Sequence, residues 1–182
     1  MNAKSNLTKY ILIIVSWVIF VGLCIDVGGF LTNTIYTLFF NPELARKFWS
    51  HLDLSALHQF SVSHFAILTC IMSIAAIMKS ILFYLITRMF YEKKLDILKP
   101  FSEKSKQFIQ IAGCISLGIG LVSSWGADMV EKMLNEGVSI PTIQNLKIDG
   151  ANVWLFVGVI LLVIAHVFTR GIELQNENDL TI

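Results

Sequence analysis

Apolar positions gather into four long, nearly unbroken runs, roughly Tyr10–Leu31, Val62–Ile86, Phe108–Gly126 and Asn152–Thr169, with polar connections between them. Each run is about 18 to 25 residues, and at ~1.5 Å per helical residue such a length crosses a hydrocarbon core of ~30 Å. Backbone in lipid must satisfy its own hydrogen bonds, which runs of this length do as helices. The pattern predicts an all-α fold, an integral membrane four-helix bundle forming one domain over residues 1–182. Its connections are short, and a short tail, 170–182, follows the last run.

Composition agrees, with 55% hydrophobic residues and a mean hydropathy of +0.68. The net charge of +1 gives no general attraction to nucleic acid. The placement of charge says more. Lys4 and Lys9 precede the first run, and the second connection holds Arg88, Lys93, Lys94, Lys99, Lys104 and Lys106. The first connection has only Arg46 and Lys47, and the third only Lys132 and Lys147. Short basic loops stay cytoplasmic, so both termini and the loop 87–107 are expected inside. Cys24, Cys70 and Cys114 each fall in a different run and read as small packing residues.

The connections carry local signals. Asn41-Pro42-Glu43 reads as a helix start, followed by Leu44, Phe48 and Leu52 at spacing four with Trp49 alongside. Two readings stay open for that apolar face: a short helix lying at the membrane interface, or a cap packed on the bundle. The cytoplasmic turn Pro100, Phe101, Ser102 precedes the third helix, with Ser102 placed to cap it. In the third run Ala112, Ser116, Gly120 and Ser124 recur every four residues. Such a ridge lets another helix approach closely, within the chain or in a homo-oligomer.

Candidate chemistry is sparse. Polar groups in lipid are costly, which singles out Asp26, Lys79 and His166. Lys79 and His166 sit at similar depth near the inner side in this reading, able to share a polar cavity or to snorkel to headgroups. His51, His58 and His64 are spaced seven and six apart, unlike the three or four of helical zinc sites. No nucleophile–base set, phosphate-binding glycine loop or cofactor motif appears, so neither an enzyme nor a metal or cofactor protein is expected.

The tail from Arg170 reads Gly171-Ile172-Glu173-Leu174-Gln175-Asn176-Glu177-Asn178-Asp179-Leu180-Thr181-Ile182. It is longer than a helix stop requires, since Arg170-Gly171 supplies one. With the turn Pro100-Phe101-Ser102, this tail resembles domain-of-unknown-function family 2975, a family of small four-helix bacterial membrane proteins. The resemblance implies a gene neighbourhood with a Cro/repressor-type helix-turn-helix regulator. The two together suggest a membrane-bound partner of that regulator, and the tail's mix of acids, amides and Leu/Ile marks Glu173, Leu174, Gln175, Glu177, Asn178 and Asp179 as the expected contact residues. A small transport or permeation protein through Asp26, Lys79 and His166, or an immunity or envelope-stress protein, is the alternative.

Overall fold

The computed structural model describes residues 3–91 and 102–179. Four long helices carry the fold: α1 Ala3–Phe39, α3 Val62–Tyr91, α4 Glu103–Asn135 and α5 Ala151–Asp179. The short α2, Ser55–Phe60, and two 3-10 turns, Pro42–Lys47 and Trp49–His51, lie between α1 and α3. The four long helices are each apolar and long enough to cross a membrane. No strand occurs among the described residues; Phe48 and Leu52 form a single isolated bridge.

Each long helix packs on the next in order: α1 on α3, α3 on α4, α4 on α5, while the backbones of α1 and α5 stay apart. Side-chain neighbours show every such pair to be antiparallel. Phe20 meets Tyr84 between α1 and α3, and farther along α1 Phe30 meets Phe48, which also meets Phe65 near the start of α3. A side chain on Gly118 would meet Met78, and one on Gly126 would meet Ile71. Gly113 faces Leu162 and Gly120 faces Leu155 between α4 and α5. The starts of α1 and α4 and the ends of α3 and α5 therefore share one end of the bundle, here the terminal end. The connections 40–61 and 136–150 occupy the other.

Helix limits follow caps rather than hydropathy. Ser102 Oγ accepts from the Ser105 backbone N–H at 3.2 Å and starts α4. At the other end the Gly137 backbone turns left-handed, φ +83°, just after α4 ends. Asn41 Oδ1 accepts from the Glu43 N–H at 3.0 Å, as its spacing to Pro42 predicts. The segment beyond this cap is not an interfacial helix: Phe48 adopts extended backbone and Ser50 and His51 have φ of 59° and 62°. Phe48, Leu52, Leu54 and Leu57 are thereby driven inward, almost wholly buried. The segment is a cap on the bundle.

Two zones of packing result. Toward the connections, Phe30, Phe48, Phe65, Leu68, Ile71, Met133, Leu146 and Ile148 form one closed core at 2% exposure or less. Toward the terminal end the core shrinks to Leu82, Ala112 and Ile119 with a few half-buried neighbours. There α1 shows Tyr10, Ile14, Val18 and Val21 outward, as lipid contact demands. The small ridge is used between helices: Ala112, Ser116 and Gly120 are buried and Ser124 half-buried. A Cβ on Gly120 would lie 2.9 Å from the Leu155 backbone nitrogen, and one on Gly158 would lie 2.8 Å from that of Leu117. Reciprocal glycines thus bring the α4 and α5 backbones together.

Candidate functional site

α5 begins well below the end of α4. Because Gly120 faces Leu155, the last dozen residues of α4 rise about 18 Å beyond the start of α5. The connection 136–150 descends through that gap, with Leu146 and Ile148 buried against α3 and α4. Lys147 lies between these two anchors with φ 57°, and Gly150 follows with φ +74°. Left-handed backbone at both positions turns the chain sharply into α5. The Trp154 N–H then bonds the Gly150 carbonyl at 3.0 Å.

This descent builds a polar tier. Lys147 Nζ donates to Asp26 Oδ1 on α1 at 2.6 Å. Trp49 Nε1 donates to the same oxygen at 3.1 Å. The indole fits because Gly29, one turn beyond Asp26 on the same face, has no side chain; a Cβ there would run into the Trp49 ring. On α3, Lys79 Nζ donates to the Lys147 carbonyl oxygen at 2.8 Å. The same ammonium stands 5.9 Å from the Trp154 ring centroid, within cation–π range. Asp149 lies within electrostatic reach of Lys79 without pairing to it directly. Charge in the tier balances: two carboxylates, Asp26 and Asp149, against two ammonium groups, Lys79 and Lys147.

Two of the three intramembrane polar residues expected from the sequence, Asp26 and Lys79, therefore meet through Lys147. His166 does not join them. It lies on an exposed face of α5, twelve residues and about 18 Å nearer the terminal end than Trp154. Lys79 is therefore not level with His166; it lies level with the start of α5, beside Lys147 and Trp154. Hydropathy sets the run 62–86 as one block, while in the structure the first half of α3 belongs to the closed core and Lys79 follows at its edge. The sequence offered one signal for the missing partner: an aspartate in an apolar helix requires a cation. Nothing local identifies Lys147, 121 residues away.

Other expected sites fall as follows. Pro100 and Phe101 lie outside the described residues, while Ser102 caps α4. The tail is helical: α5 passes through Arg170 and Gly171 to Asp179, so these two residues do not stop it. Arg170 Nη1 pairs with Glu173 Oε2 at 3.1 Å across one turn. Glu173, Leu174 and Glu177 are exposed and Gln175 half-buried. Asn178 and Asp179 complete the last turn; Leu180–Ile182 lie outside the described residues. Among the described residues no group of three or more His, Cys, Asp or Glu side chains is placed to hold a metal ion.

Helices this apolar, packed side by side around a charge-balanced tier, define a multi-pass membrane protein. The chain belongs to the family of proteins of unknown function DUF2975, whose model matches residues 10–182. No curated protein and no solved structure matches it.

Proposed function

We propose that this protein is a membrane-anchored binding protein, not an enzyme, whose α5 tail docks a small helix-turn-helix regulator on the cytoplasmic side of a bacterial inner membrane. The observation that carries the reading is the continuity of α5. One helix runs from the tier at Ala151 to Asp179, and its last ten residues extend the apolar span by about 15 Å. Glu173 and Glu177 are one turn apart and both exposed, with Leu174 beside them at 61% exposure. A regulator's DNA-binding face is basic, and an acidic helix competes for such a face. The regulator itself enters through the family resemblance, which is analogy at the level of family context.

Permeation through Asp26, Lys79 and His166 has less in its favour, because the first two are tied to Lys147 and the third is remote from them. The helix tail also meets the requirement that such a contact be rigidly placed relative to the membrane. Pull-down of the neighbouring regulator from native membranes tests the reading. The double reversal Glu173→Lys and Glu177→Lys should abolish capture, leave membrane insertion intact, and reproduce the effect of ending the chain at Gly171. Capture by the parent chain should also weaken as salt rises. Equal capture by the reversed variant would remove the tail from the interface.

A further inference from the structure

A cavity of about 400 Å³ opens beside the tier. It lies between α1 and α5, whose backbones stay apart, and α3 forms its floor. Its lining is polar at one end and apolar at the other. Lys79 and Asp149 stand at the tier, with Trp154 beside them. Ile19, Leu23, Phe83 and Val153 form the remaining wall. Along the helices, Phe83 is one turn (about 6 Å) and Ile19 about 10 Å nearer the terminal end than Lys79 and Asp26. The cavity thus has an ionic mouth at the level where the apolar run of α5 begins, and an apolar path leading from it into the depth of the bilayer.

We propose that this groove holds one phospholipid with a phosphoethanolamine headgroup, its phosphate on Lys79, its ammonium on Asp149 and an acyl chain along Ile19, Leu23 and Phe83. Three features select that chemistry. The mouth carries one cation and one anion, so it complements a zwitterion better than a net anion such as a phosphoglycerol headgroup. Lys79 spends one proton on the Lys147 carbonyl, which leaves two N–H donors for phosphate oxygens. Asp149 has no hydrogen bond or ion pair among the described residues, so its carboxylate is an open acceptor. A primary ammonium donates to it, whereas the trimethylammonium of choline has no N–H to give. The aromatic face that would otherwise attract choline is already occupied by Lys79.

The lateral position fixes the source as a lipid. Val153 at 63% and Ile19 at 38% exposure rim the groove on the side that meets acyl chains. A free zwitterion would gain nothing from that wall, while each acyl methylene buried against it strengthens the hold on a lipid.

Native mass spectrometry of the full-length protein, released from detergent with matched-chain lipids, provides the test. Phosphatidylethanolamine should be retained at one per chain, about tenfold better than phosphatidylcholine or phosphatidylglycerol. Asp149→Asn leaves every observed hydrogen bond in place and should erase the preference over phosphatidylcholine. Lys79→Met should lower retention of all three phospholipids. Val153→Trp, which fills the apolar wall without touching either charge, should lower them equally. Soluble phosphoethanolamine at millimolar concentration should not displace the lipid. Equal retention of the three lipids by the parent protein overturns the proposal, as does an Asp149→Asn variant with unchanged selectivity. Displacement by soluble phosphoethanolamine would equally overturn it, by making the headgroup alone the ligand.

Discussion

Asp26 of α1 and Lys147 of the last connection form an ion pair at 2.6 Å, although 121 residues separate them. The carboxylate is only 17% exposed and also accepts from Trp49, so one oxygen ties three segments together. Asp26→Ala should lower stability in detergent by about 1–3 kcal/mol, because it leaves an indole N–H and an ammonium unmatched. Asp26→Asn keeps an acceptor for Trp49 and should cost less. Combined with Lys147→Met, Asp26→Ala should cost less than the sum of the single changes, by thermal melting. Strict additivity would show the pair to be energetically idle.

Gly29 provides an internal comparison among the glycines of α1. Gly29→Ala should displace the Trp49 ring, shift its fluorescence and lower the melting temperature. A Cβ added at Gly22 or Gly28 would have nothing within 4 Å. Alanine there should be neutral or slightly stabilising, since it lowers backbone freedom within a helix. A Gly29→Ala protein that melts with the parent would remove the indole from this contact.

The α4–α5 seam should be intolerant of bulk from both sides. Gly120→Leu and Gly158→Ala each press a side chain on the backbone of the facing helix. Leucine rotamers can adjust but backbone cannot, so both should separate the helices and lower the melting temperature. Unchanged melting of either variant would show that the seam is not closed in the membrane.

Asp53 links stability to acid. It accepts from Ser55 Oγ at 2.5 Å and from the Ser55 N–H at 3.0 Å. Those bonds, led by the hydroxyl, and the nearby Arg46 hold its carboxyl below the ordinary 3.8, against a small opposing effect of burial. A depressed folded value gives stability that is complete above the unfolded value and lost as pH falls through the folded one. Asp53→Asn should therefore melt lower than the parent at about pH 6, with the gap closing as pH falls below 3.8 and through the lower folded value. A constant gap across that range would show that ionisation of Asp53 is not linked to folding.

Orientation is tested with a cysteine placed at Lys94 in a chain lacking Cys24, Cys70 and Cys114. An impermeant maleimide should leave Lys94→Cys unlabelled in intact cells while labelling Gln59→Cys in the first connection. The reverse pattern would place both termini outside.

Much of the fold was legible in the sequence, for a physical reason. Lipid selects apolar side chains along the whole of a span, and that signal is strong enough to place four helices. It does not locate helix ends, which depend on caps and on packing outside the lipid. Thus α1 continues from Leu31 to Phe39 and α5 from Thr169 to Asp179. The ridge at Ala112, Ser116 and Gly120 was readable because small residues at spacing four have few other uses in a membrane helix. The tier was readable only in part. Asp26 and Lys79 stand out as charges in apolar runs, but Lys147 and Asp149 look like ordinary connection residues. Their role depends on how far the connection descends, which the burial of Leu146 and Ile148 decides. Trp49 reads in the sequence as part of an apolar face, yet its indole nitrogen donates to Asp26.

The late start of α5 gives the molecule unequal hydrophobic heights. On its flank the apolar run is Asn152–Thr169, about 27 Å, whereas that of α1 is Tyr10–Leu31, about 33 Å. A bilayer of uniform thickness cannot match both flanks with the helices upright. The protein must lean, or thin the lipid beside α5 and thicken it beside α1, at a cost of a fraction of a kcal/mol for each ångström of mismatch. Such a body acts as a wedge, and membranes of different thickness would each set it at a different lean, carrying the α5 tail with it.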